Sequence, residues 1–167
     1  MKKIVLLTML GLLGCKSDSH TQVVERHYNF SIRLPEAPTV TTDINDEGLE
    51  SKHWLVKHAH LSDADYYSVS ATCYKEVLKA DDEFQPNPTL LALNGITLVE
   101  SRRFTMRARE TNREIPALAS TTKSGSSEIM NNVYAVDGHC MLSVATRVNP
   151  GTAGENALFL NSFQLLR

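Results

Sequence analysis

Apolar and polar residues alternate over several short stretches of this chain, and a period of two is the mark of half-buried strands. Tyr28-Asn29-Phe30-Ser31-Ile32-Arg33-Leu34 puts Phe30, Ile32 and Leu34 on one face, and Pro35 and Pro38 stop it. Between 39 and 50, Asp43, Asn45, Asp46 and Gly48 favour a loop or a short hairpin. His53 to Leu61 reads as a second strand. In a third, Tyr67, Val69, Ala71 and Cys73 share one face, while Ser68, Ser70 and Thr72 share the other. Ile96 to Met106, Glu114 to Lys123 and Glu128 to Val136 continue the series, with a turn at Ser124-Gly125-Ser126. Asp137-Gly138 then separates two alternating runs. Both residues tolerate positive φ, so the dipeptide predicts a two-residue hairpin. Cys140, Leu142, Val144 and Thr146 share a face of the last long strand, which Asn149-Pro150-Gly151 ends.

Helical spacing is rarer. Glu76-Val77-Leu78-Lys79-Ala80 is compatible with helix, and Pro86 and Pro88 break it. Pro88 opens a short turn through Leu90, Leu91 and Leu93 that Asn94-Gly95 stops. Ala157, Leu160, Phe163 and Gln164, with Phe159, fit a closing helix, and Leu165-Leu166 leaves it as a short extended end. Strands, helix, meander and helix predict an α+β fold, an antiparallel β-sheet meander flanked by helices.

The N-terminus has a different pattern. Met1-Lys2-Lys3 precedes eleven mostly apolar residues and Cys15. A charged start followed by a short apolar run is a secretory signal, too short for a bilayer span of about 20 residues. Leu12-Leu13-Gly14-Cys15 resembles the lipobox of bacterial lipoproteins. The resemblance implies diacylglyceryl transfer to the Cys15 sulfur, cleavage before Cys15 and acylation of the new amine. Residues 1–14 are then a signal peptide, 15–26 the lipidated Cys and a polar tether, and 27–167 a single domain. Two or more acyl chains anchor stably, at about 0.8 kcal/mol per buried methylene. By resemblance to enteric lipoproteins, Lys16 rather than Asp after the Cys implies the outer membrane, facing the periplasm. In a single-membrane cell it implies the outer face of the plasma membrane.

Composition narrows the function. The 167 residues are 42% hydrophobic and 22% charged, which excludes wholesale disorder. Losing Lys2 and Lys3 takes the net charge from −2 to −4, so the domain has no electrostatic footprint for nucleic acid. Arg102, Arg103, Arg107 and Arg109 make the one dense cationic stretch. Arg103, Arg107 and Arg109 share strand parity, which suits an acidic partner, a lipid headgroup or a glycan, or an exposed face balanced by Glu100 and Glu110.

Several segments resemble PsbP-like domains, a group that includes DcrB-like lipoproteins. Phe30-Ser31-Ile32-Arg33-Leu34-Pro35 is similar to their opening strand. Arg113-Glu114-Ile115 and the run Val133 to Val144 are similar to the hairpin of their second half. Phe159-Leu160-Asn161-Ser162-Phe163-Gln164-Leu165-Leu166 is similar to their closing helix. The resemblance covers about residues 28–166 and implies an α/β/α sandwich. It also implies a binding, assembly or chaperone-like role without catalytic residues.

Candidate chemistry is sparse. With Cys15 committed to lipid, Cys73 and Cys140 are an even pair in an oxidising compartment, either disulfide-bonded or buried as thiols. His53, His58 and His60, with Asp63 and Asp65, form the densest metal-capable group, against a reading as a polar strand edge and turn. Asp43, Asn45 and Glu47 alternate as calcium ligands do but lack the Gly and distal Glu of a full loop; Asp81, Asp82 and Glu83 fit a solvated turn. Ser124-Gly125-Ser126-Ser127 is not a nucleophile elbow. His139 and Cys140 are strand neighbours and point to opposite faces. No cofactor is implied. The sequence therefore predicts a membrane-anchored, non-catalytic envelope lipoprotein that binds a protein or envelope component. The alternatives are an immunity lipoprotein that neutralises a toxin and a metal-binding protein or enzyme using His53, His58 and His60.

Overall fold

Alternation does build strands, and more of them than the sequence suggests. The computed structural model describes residues 20–44, 49–57, 66–78, 86–124, 128–148 and 153–167. Ten strands form: β1 (Thr21–Glu25), β2 (Phe30–Leu34), β3 (Thr39–Ile44), β4 (Glu50–Lys57), β5 (Tyr66–Cys73), β6 (Ile96–Arg107), β7 (Glu114–Ser124), β8 (Glu128–Asp137), β9 (Cys140–Val148) and β10 (Gln164–Leu165). Two helices, α1 (Pro88–Leu93) and α2 (Ala153–Ser162), complete the described elements. Seven strands make one antiparallel sheet in the order β3-β4-β5-β9-β8-β7-β6, and β1-β2-β10 make a second.

This overturns the expected α+β meander flanked by helices and the α/β/α sandwich. A six-residue helix and a ten-residue helix cannot supply two covering layers. Three strands and α2 share the covering of one face instead. Residues 75–78, the described part of the expected middle helix, are not helical. The Leu78 N–H there donates to the Gly138 carbonyl at 3.0 Å, so a tertiary bond overrides a modest helix propensity. α1 does form where expected, with Asn87 accepting from Thr89 and Leu90 N–H groups at its start. Thr21 and Gln22, expected in the tether, instead begin β1.

The inner face of the large sheet follows the alternation closely. Trp54, Val56, Tyr67, Val69, Ala71, Leu142 and Val144 are all buried there. Phe30, Ile32 and Leu34 of β2 and Phe159 and Phe163 of α2 press onto them as one cluster. Edge-to-face rings tie the layers, Phe30 on Trp54 at 5.0 Å and Tyr67 on Phe159 at 5.0 Å. Beside them, the Tyr28 hydroxyl donates to Glu50 at 2.9 Å. Burial and that carboxylate push the Tyr28 phenol up to about 12.

Two local departures set the register. The β8–β9 loop is Gly138-His139, because Asp137 pairs with Cys140. Gly138 alone takes positive φ, at 64°, which is the type II′ arrangement with Gly first, so the turn lies one residue later than Asp137-Gly138. In β6 the register slips between Leu98 and Glu100. This bulge leaves Val99 61% exposed and flips the parity of the strand. Leu98 consequently shares a face with Thr122, whereas Phe104 shares the opposite face with Ala117.

The β1–β2 turn meets Arg167 in a polar clamp. Asn29 adopts φ 64°, and its side chain receives the Arg167 N–H at 2.7 Å and donates to the Arg167 carbonyl at 2.8 Å. Asn29 and Arg113 both donate to the Asp137 carboxylate, and Arg113 also reaches the Arg167 carbonyl at 3.0 Å. Backbone bonds from Leu166 to Asn29, and from Arg109 and Glu110 to Leu165 and Leu166, fix the same segment. Asn29→Ala should lower unfolding stability in urea by about 2–3 kcal/mol, through lost bonds and a left-handed backbone. Asn29→Gly, which keeps the backbone at ease, should be about 1 kcal/mol less damaging.

Candidate functional site, a cavity on the outer sheet face

The small sheet and α2 cover the inner face, and the outer face carries its own row of partly buried polar and aromatic side chains. Directly paired residues in an antiparallel ladder share a face, so the register gives its layout. One row crosses the sheet as Leu98, Thr122, Met130, Arg147 and Tyr66. The next row is Ser101, Ser120, Asn132, Ala145 and Ser68, and the one after includes Arg103, Leu118 and Tyr134. Short side chains in the middle row lie between long ones, making a shallow valley. Ser120, Asn132 and Ala145 are buried on its floor.

At the end of this face where Ile96 pairs with Ser124 there is a cavity of about 110 Å³, lined by Ile96, Thr122, Ser124, Met130 and Arg147. The β6 bulge makes it possible, since without the slip Ile96 would lie on the inner face. Tyr66 stands opposite Arg147 in the register and donates its hydroxyl to the Met130 sulfur at 3.8 Å. Burial pushes the Tyr66 phenol up, against a smaller pull downward from Arg147. Burial also pushes Tyr134 up, with a contribution from Tyr66, so both phenols stay protonated donors at neutral pH. Ser120, one same-face position along β7 from Thr122, has a buried Oγ with no hydrogen-bond partner. On the inner face Thr146 Oγ1 and Asn156 Oδ1 are buried in the same state.

Cys73 and Cys140 are the residues from the sequence list that meet most closely. They are direct partners in the β5–β9 ladder and form a disulfide with Cα atoms 4.0 Å apart. The Tyr74 N–H donates to the His139 carbonyl in the next pair at 2.8 Å, which makes the cysteines the closer, non-hydrogen-bonded kind of pair. As a disulfide, Cys140 offers no thiolate. His53 lies on the outer face of β4, half-buried, with Asp43 at 3.7 Å. Among the described residues no group of three metal-capable side chains gathers. His58, His60, Asp63, Asp65, Asn45, Glu47, Asp81, Asp82, Glu83 and Cys15 lie outside the described residues.

The cationic stripe divides. Arg103 and Arg107 share the outer face of β6, and Arg107 pairs with Glu114 at 3.2 Å. Arg102 points to the other face over the Phe104 ring at 5.8 Å. Arg109 follows the strand in a turn, so the three-residue stripe expected from parity does not form. Glu110 faces Arg26 and Arg167, each at 3.8 Å, rather than balancing the stripe.

None of the cavity residues stands out in the sequence, because cross-strand pairing brings them together. A hairpin turn at Asp137-Gly138 would set Met130 against Ala145. The turn one residue later sets it against Arg147. The chain matches no protein-family model, and no curated protein matches its sequence.

Two stability effects follow. Replacing Cys73 and Cys140 together by Ser should lower unfolding stability by about 2–4 kcal/mol, and reductant should reproduce that loss in the wild type while leaving the double variant unchanged. Ser120→Ala removes a buried hydroxyl with no partner, and should raise stability by about 1 kcal/mol in the same urea titration.

Proposed function

We propose that this protein is a non-catalytic binding or accessory module of the bacterial cell envelope, tethered by lipid on Cys15. The lipobox resemblance of Leu12-Leu13-Gly14-Cys15, in register behind two lysines and a short apolar run, carries the reading. The Cys73–Cys140 disulfide supports it, since such bonds persist in oxidising compartments. Lys16 favours the outer membrane in a two-membrane cell. The open outer face, with its cavity and protonated phenols, suits recognition rather than covalent catalysis.

In the native host, radiolabelled palmitate should enter the wild-type protein, which should sediment with membranes. Cys15→Ala should lose the label and the membrane association. Wild-type protein that is unlabelled and soluble overturns the reading.

A further inference from the structure

We propose that the end of the large sheet where β6 begins faces the membrane, and that α1 rests its leucines in the lipid surface there. The inference rests on the reading of Cys15 as a lipid anchor. Two separate features share this end of the sheet. The first is α1, which joins β6 through Asn94 and Gly95 and so lies beside the Ile96–Ser124 pair. None of its residues is buried, and Leu93 is 80% and Leu90 60% exposed. Three residues apart on a helix, these two share a face. A six-residue helix gains little from its own backbone, and exposed leucines gain nothing from the core. Apolar side chains held out on a short surface helix suit the boundary between lipid headgroups and acyl chains.

The second feature is the point where the chain from Cys15 enters the domain. β2 starts beside the far end of the sheet, where Tyr28 meets Glu50 and Asn29 meets Asp137. It runs to Leu34, and residues 35–38 link it to β3 at Thr39. Thr39 pairs with Leu55, two residues before β4 ends at Lys57. Lys57 pairs with Tyr66, in the row that crosses to Leu98 just inside the α1 end. Thr21 pairs with Leu34, so β1 also begins at the α1 end. Six residue steps separate Cys15 from Thr21, at most about 22 Å of chain at about 3.6 Å per residue. The twelve residues of β6 extend about 40 Å, so the tether is shorter than the sheet is tall and holds this end near the lipid.

The full chain, purified from its native host, is placed in vesicles of dioleoylphosphatidylcholine with and without a dibrominated phosphatidylcholine, whose bromines quench tryptophan on contact. Trp54 is buried, and the wild type gives its background. Leu93→Trp should lose at least about half of its added fluorescence to the bromines. Ile44→Trp, at the far end and 70% exposed, should lose almost none. Leu90→Glu in the Leu93→Trp protein sets a charge on the same helix face. It should cut the quenching about twofold or more with melting unchanged, because α1 buries no side chain. Equal quenching at both ends, or quenching that Leu90→Glu leaves intact, overturns the proposal. So does an unquenched Leu93→Trp that cross-links into pairs, since a second copy then covers the leucines. Palmitate-labelled protein that floats with the vesicles and keeps Leu93→Trp unquenched defeats the membrane face alone. Unlabelled protein that stays off the vesicles defeats the anchored reading and the face with it.

Discussion

The whole arrangement depends on covering one face of a seven-stranded sheet with very little material. The cover comes from both ends of the domain: β1 and β2 arrive first in the chain, α2 and β10 last. Their shared ladder has two residue pairs, Ser31 with Gln164 and Phe30 with Leu165. Phe30 and Leu165 have no exposure, so the bond that closes the cover lies over the centre of the apolar cluster. The clamp around Asn29, Arg113, Asp137 and Arg167 reinforces that junction from its polar rim. It takes one residue from the β1–β2 turn, one from just before β7, one from the end of β8 and one from the chain end. Small sheet and large sheet are thereby tied to each other by side chains as well as by packing.

Much of this was legible residue by residue. Period-two alternation identifies β5, whose one face lies against the core while the other carries serines and threonine, and marks β2, β7, β8 and β9 less sharply, since Ser31, Leu118, Val136 and Ala145 are buried on their other face. The two helices are also marked, α1 by Pro88 and Asn94-Gly95, α2 by its aromatic spacing. Layering was not legible. Glu76 to Ala80 has helical composition, yet the described end of that segment is irregular and tied to the β8–β9 turn through the Leu78 N–H, and the covering role falls to a second sheet. β1 gives almost no signal, since Thr21-Gln22-Val23-Val24-Glu25 is short and Val24 faces solvent.

The site was hidden for a different reason. Its residues come from β5, β6, β7, β8 and β9, and none is unusual in its own strand. Their meeting depends on two single-residue events, the bulge at Val99 and the position of Gly138. A one-residue displacement in either changes every partner downstream. The cysteine pair needs only parity and a compartment to be considered, but its bond depends on the β5–β9 register, which sets Cys73 against Cys140.

The bulge has another consequence, at the rim of the large sheet. β6 is twelve residues long and, among the described residues, has no strand on its outer side, so it is a template on which a second copy could add its own strand. Val99 interrupts the regular row of edge amides, and an antiparallel pairing of two β6 edges centred on Arg102 and Arg103 would set like charges against like. The cationic stretch that reads as a landing place for partners thus also works against edge-to-edge pairing in that register.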